Sequence, residues 1–181
     1  MATVNFTEAI FNIDGGTEHV VNKESGGAIE ASITNLASPA NTVWASGIAF
    51  YTYQKGTGAP EVSLQIADLL DDGLYSTLIG AQTEEGITIL GTETAAPFTS
   101  LILISETKEG VRMFTGLTKG KFSAPDVSLG TATDQGSELK TDTIQGKFQA
   151  DSRGYTLLTA VESATVTLAK FKAKLNNIPT P

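Results

Sequence analysis

From Val4 to Val161 the chain alternates apolar and polar residues in short stretches, each cut off by glycine, proline, asparagine or aspartate. A period of two places one set of side chains on each face of a strand, so the pattern predicts many short strands rather than helices. Val4–Ile13 reads as a first strand, closed by the turn residues Asp14-Gly15-Gly16. After Gly26-Gly27, Ile29, Ala31 and Ile33 face one way while Glu30, Ser32 and Thr34 face the other. Trp44–Tyr53 is aromatic and β-branched and reads as a further strand. Val62, Leu64 and Ile66 alternate with Ser63 and Gln65, and Ile87–Leu90 forms a short strand. Phe98–Ile104 is a continuous apolar run, as expected of a strand covered on both faces. Lys108-Glu109-Gly110 turns it into Val111–Phe122. Thr141–Ala150 points Ile144, Phe148 and Ala150 inward and Thr143, Gln145 and Lys147 outward, and Tyr155–Val161 adds another strand.

One internal helix interrupts this pattern over about residues 68–79. Leu70, Leu74 and Leu78 share one helical face, Asp68, Asp71 and Asp72 cluster at its start, and Gly80 can close it. Gly73 weakens its first turn. Leu168–Leu175 fits a short terminal helix ending before Pro179. The predicted fold is mainly β: an antiparallel β-sandwich or partial barrel with one flanking α-helix and extended loops or arms, in a single domain spanning 1–181.

Composition narrows the function. Charged residues make up 18% of the chain, below the usual ~25%, and Ser, Thr and Gly take their place. Cysteine is absent, so there is neither a disulfide framework nor a thiolate metal site. His19 is the single histidine, placed in a polar turn region beside Glu18 and read as solvated. It cannot build a multi-histidine metal site, and no G-x-S-x-G elbow presents a serine to it. Gly116–Lys121 is one residue too short for a phosphate loop, with Phe122 where Ser or Thr belongs, and reads as strand. No catalytic residue, cofactor or metal is therefore expected. No apolar run approaches the ~20 residues of a membrane span, and Met1–Glu8 lacks the features of a secretory signal. The net charge of −8 argues against a nucleic-acid-gripping surface. Up to Gly110 there are three basic residues against fourteen acidic ones, and beyond it nine against six. This reads either as a solvated surface with chance asymmetry or as a negative part and a mildly positive part able to meet between copies.

The order of elements resembles the major tail proteins, or tail tube proteins, of long-tailed bacteriophages with non-contractile tails. The resemblance runs over nearly the whole chain. It is carried by Val4-Asn5-Phe6 through Asn12, Gly27–Leu36, Ala45-Ser46, Val62–Ile66, Leu78-Ile79-Gly80, Ala96-Pro97-Phe98, Ser105-Glu106, Lys119–Ser123, Thr143–Phe148 and Leu168–Lys172. The resemblance implies a structural virion protein, assembled in the host cytoplasm into hexameric rings that stack on a tape-measure protein and end at a tail terminator. DNA passes through the lumen without specific binding, and an acidic wall would repel its phosphates. No membrane partner is implied. The alternatives are the tube of a contractile tail or secretion system, or a carbohydrate-binding or adhesin module stacking sugars on Trp44, Tyr51 and Tyr53.

Two sets of candidate assembly residues follow. Leu36, Ala37, Ser38, Pro39, Ala40, Asn41 and Thr42 lie in a segment longer than a tight hairpin needs, with Ser38–Asn41 as its expected tip. The resemblance implies that this loop reaches an adjacent ring. The charge asymmetry offers Asp71, Asp72, Glu84 and Glu85 as acidic contacts and Lys170, Lys172 and Lys174 as basic ones.

Overall fold

The computed structural model describes residues 3–14, 17–69, 73–125 and 141–176. Among the described residues, twelve strands and two helices follow in chain order: β1 (Thr3–Ile13), β2 (Thr17–Val21), β3 (Ala28–Thr34), β4 (Asn41–Ala45), β5 (Ile48–Tyr53), β6 (Glu61–Ile66), α1 (Leu74–Ile79), β7 (Gln82–Glu84), β8 (Ile87–Ile89), β9 (Thr99–Thr107), β10 (Arg112–Ser123), β11 (Asp142–Gln149), β12 (Leu157–Val161) and α2 (Leu168–Leu175). The fold is mainly β, as the alternation predicts. Eight strands form one antiparallel sheet in the order β2-β1-β9-β10-β11-β6-β3, with β12 also pairing with β10. Among the described residues its two ends are not joined, so the barrel is not closed.

The sheet bends over a core to which both arms contribute. Phe11, Leu101, Leu103 and Leu117 from one arm meet Val62, Leu64, Ile66, Ile144 and Phe148 from the other. A second, smaller core lies on the outer face of the first arm, where Phe171 and Leu175 of α2 cover Ile10, Ile102, Ile104 and Phe114. This is why Phe98–Ile104 reads as a run without alternation: β9 is buried on both sides.

β10 serves both cores because it carries one extra residue. Leu117 pairs with Leu101, but Gly120 pairs with Thr99, so three steps along β10 match two along β9. Such a bulge reverses which side chains face which side. Phe114 accordingly lies under α2, whereas Phe122, eight positions on, lies in the main core. On its other flank β10 changes partner here, from β12 up to Leu117 to β11 from Lys119 onward. Thr118 sits buried at this junction, donating its hydroxyl to the Tyr155 carbonyl at 2.6 Å. Glycines open space for rings: a Cβ on Gly116 would lie 2.8 Å from Phe171, and one on Gly146 2.8 Å from Phe122.

Several expectations need correction. The internal helix is Leu74–Ile79, not 68–79. Gly73 takes a left-handed conformation (φ 69°), so regular helix begins after it, and among the described residues no side chain caps that end. Asp68 precedes the helix, while Leu70, Asp71 and Asp72 lie outside the described residues. Leu74 and Leu78 are buried and Gly80 closes the helix in the left-handed conformation, as expected. The terminal helix matches its expected span, capped by the Thr167 side chain accepting from the Lys170 N–H. His19 is not in a turn but in β2, opposite Phe11. It is half-buried, and its Nε2 has no hydrogen-bond partner among the described residues. Ile29 is 45% exposed because the β3–β6 register shifts between Ala28 and Glu30. Ala150 is exposed because β11 ends at Gln149.

Candidate assembly surfaces

The segment read as a long loop is mostly a β-hairpin arm. Leu36–Ala40 forms its root: the Leu36 carbonyl accepts from Gly58, Ala37 bridges to Thr57, and the Gln54 side-chain amide donates to the Ser38 carbonyl. Asn41 and Thr42 already belong to β4, paired with Tyr53 and Thr52 of β5. The tip is Ser46-Gly47, not Ser38–Asn41. Both residues have positive φ (54° and 78°), the backbone that a two-residue hairpin turn demands. The Trp44–Tyr53 stretch is therefore two strands.

β4 and β5 form a sheet of their own, separate from the main one. Its apolar side chains are in water: Trp44 is 69% and Phe50 73% exposed, with Val43, Ile48, Tyr51 and Tyr53 also exposed. Tyr51 and Tyr53 stack with ring centroids 6.5 Å apart. Burying one large apolar side chain contributes ~1.5–3 kcal/mol, so the arm holds a large unrealised binding energy.

A second arm, β7–β8, was legible only in its return strand. Glu85 and Gly86 make its turn (φ 50° and 81°), so Glu84 and Glu85 stand exposed at the tip. Ile87, Ile89 and Leu90 are exposed behind them.

The lysines are arranged differently. Lys170, Lys172 and Lys174 lie on α2 and are held within the subunit. The Lys172 ammonium donates to Glu18 at 2.7 Å, Lys170 to the Thr165 carbonyl at 3.2 Å, and Lys174 lies 5.9 Å from the centre of the Tyr155 ring. Among the described residues no ion pair joins Glu84 or Glu85 to these lysines, and Asp71 and Asp72 lie outside the described residues. Nearby, Asp151 accepts from the N–H groups of Arg153 and Tyr155 and from the Arg153 guanidinium, which also grips the carbonyls of Lys174 and Leu175. Burial alone would raise the Asp151 carboxyl, but these bonds outweigh it and hold its pKa below the ordinary 3.8.

A third surface escaped the sequence reading. On the face of β10, β11, β6 and β3 turned away from the core, the paired rows are wholly polar. One row runs Ser123–Gln145–Ser63–Ser32, and the next runs Lys121–Lys147–Glu61–Thr34. Lys147 pairs with Glu61 at 3.1 Å. The ammoniums of Lys119 and Lys121 lie 4.1 and 4.7 Å from the centre of the Phe98 ring. The alternation showed each strand's polar side, but only the register shows that these sides join.

Among the described residues no group of histidine, aspartate and glutamate could hold a metal ion, and no helix is long and apolar enough to cross a membrane. What the geometry offers is surfaces for association: an apolar arm, an acid-tipped arm and a bare polar sheet. No curated protein matches the chain. A family model described as phage tail tube protein matches residues 7–167. The chain belongs to the phage tail tube protein family, whose members are structural proteins of the virion tail.

Proposed function

We propose that the chain is a non-enzymatic subunit that forms hexameric rings, and that these rings stack into a tube whose lumen passes DNA. The β4–β5 arm carries this reading. Six large apolar or aromatic side chains on a separate two-stranded sheet gain most of their burial only when another chain covers them. The tape-measure and terminator proteins are the partners that such a tube requires, and assembly takes place in the host cytoplasm.

Concentrated protein viewed by negative stain tests the proposal. Wild type should give rings or tubes, and the double variant Trp44→Ser, Phe50→Ser should give dispersed subunits with an unchanged circular dichroism spectrum. A wild-type protein that stays monomeric, and instead binds glycans through the stacked Tyr51 and Tyr53, would overturn it.

A further inference from the structure

We infer that the hydroxyl contact between Thr57 and Thr156 sets the direction of the β4–β5 arm, and that these two threonines are positioning residues for assembly. The inference rests on the tube reading above, in which the arm meets another copy, and concerns what aims it. From Ala37 to Ser46 the arm reaches roughly 30 Å at ~3.3 Å per residue. A swing of about 10° at its root would carry the tip ~5 Å, about the spacing between neighbouring strands. Its exposed apolar side chains would then miss their places by a whole strand. Among the described residues β4 and β5 form a sheet of two strands, with no third strand to hold it straight. The direction of the arm therefore has to come from its root.

The root is closed on itself and then fixed to the body at two points. Its limbs meet at Gly58, which donates its N–H to the Leu36 carbonyl at 3.1 Å. A Cβ on Gly58 would lie 2.4 Å from the Asn35 carbonyl oxygen and 2.9 Å from that of Ala37, so any side chain there would part the limbs. The first fixed point is in the main chain: the carbonyl of buried Pro60 accepts from the Phe148 N–H at 2.8 Å. One such point leaves the limb free to pivot. The second lies at Thr57, whose hydroxyl is 2.8 Å from that of Thr156. Thr156 is buried, so water competes poorly for this contact. Thr156 is itself held. Its carbonyl accepts from the Thr118 N–H at 3.2 Å, and the Thr118 hydroxyl donates to the adjoining Tyr155 carbonyl. Thr118 lies at the extra residue of β10, so the aim of the arm is fixed, through Thr156, to the place where that strand changes partner.

The chain has no cysteine, so two spin labels can be attached without background. Ala49→Cys puts one on the arm and Ala169→Cys one on α2, both at exposed positions. Pulsed electron paramagnetic resonance of the dilute, soluble subunit should give one narrow distance. Thr57→Val and Thr156→Val keep the shape of the side chain but remove its hydroxyl, and each should broaden that distance. Thr57→Ser keeps the hydroxyl and should leave it narrow. Thr57 is exposed, so Thr57→Val tests the contact even where the buried Thr156→Val disturbs folding. One lost hydrogen bond shifts the balance between an aimed and a swung arm by roughly two- to tenfold. Tube growth followed by light scattering should slow by up to about that factor in the valine variants and not in Thr57→Ser. A distance equally narrow in the valine variants, or equally broad in wild type, overturns the inference and leaves the tube reading intact. A wild type that gives no tubes defeats the tube reading, and the distances then decide by themselves what aims the arm.

Discussion

The ring of Phe148 fills the space above Gly120, where a Cβ would lie 2.4 Å from the nearest ring atom. The two residues are paired neighbours on β10 and β11, just beyond the point where β10 changes partner. Gly120→Ala should therefore force the ring out of the main core and lower stability by ~1–3 kcal/mol, the usual cost of overpacking. Phe148→Ala should cost more, ~3–5 kcal/mol, because the ring is buried. Urea unfolding of the soluble subunit measures both. A neutral Gly120→Ala would mean that the ring has somewhere else to go.

Asp151 gives a pH prediction. Its folded pKa is depressed, so its contribution is fully present above the unfolded value near 3.8 and is lost as pH falls through the lower folded value. Asp151→Asn should be less stable than wild type at pH 7, and the gap should narrow as pH drops below about 4. Thermal unfolding across that range reads it. A gap constant with pH would assign the effect to hydrogen bonding alone.

Removing the β4–β5 arm, by replacing residues 41–53 with a short glycine–serine link, should leave a folded, soluble subunit that forms no tubes. The arm is a separate sheet, so few main-core contacts are lost. Full-length tubes from the armless subunit, seen by electron microscopy, would show that stacking runs through other surfaces.

Charge should tune assembly rate rather than hold the tube together. Exposed pairs contribute only ~0.2–1 kcal/mol each. Assembly followed by light scattering should slow as salt rises, since the screening length falls to ~3 Å at 1 M. Reversing Glu84 and Glu85 to lysine should slow it as well. Reversing Lys170, Lys172 and Lys174 to glutamate should do so less cleanly, because Lys172 already binds Glu18 in its own chain. Indifference to both salt and reversal would rule out an electrostatic contribution.

His19→Ala should leave assembly and infectivity unchanged, because the histidine is a half-buried residue of β2 opposite Phe11 and the proposed role of the subunit is structural. A large loss of infectivity in a subunit that folds and assembles normally would point to an unrecognised activity.

What the sequence showed and what it hid have a common cause. Strands with one face in the core and one in water announce themselves, as Val62, Leu64 and Ile66 do in β6. The terminal helix was legible to the residue because its cap, Thr167, is local. The helix after Gly73 started late because a single left-handed glycine outweighed the carboxylates before it. β2 was missed because only its last two residues, Val20 and Val21, are apolar, and the strand forms by pairing with β1 rather than by its own pattern. The β4–β5 arm looked like a loop followed by one strand because its turn, Ser46-Gly47, carries a weak signal and neither face of the arm is buried in the main core. The polar face of β10, β11, β6 and β3 stayed hidden because its rows exist only across strands brought together from distant parts of the chain.

The extra residue in β10 has a consequence for how this protein can diverge. Side chains before it and after it are counted on opposite parities: an even position such as Phe114 serves the helix-covered core, and an even position such as Phe122 serves the main core. Substitutions along the strand can be compensated one at a time by their neighbours. A deletion of one residue at Thr118 or Lys119 cannot, because it would exchange inside for outside along every position on one side of the cut at once. Relatives should therefore vary in what they place between Met113 and Phe122, and agree on how many residues they use to get there.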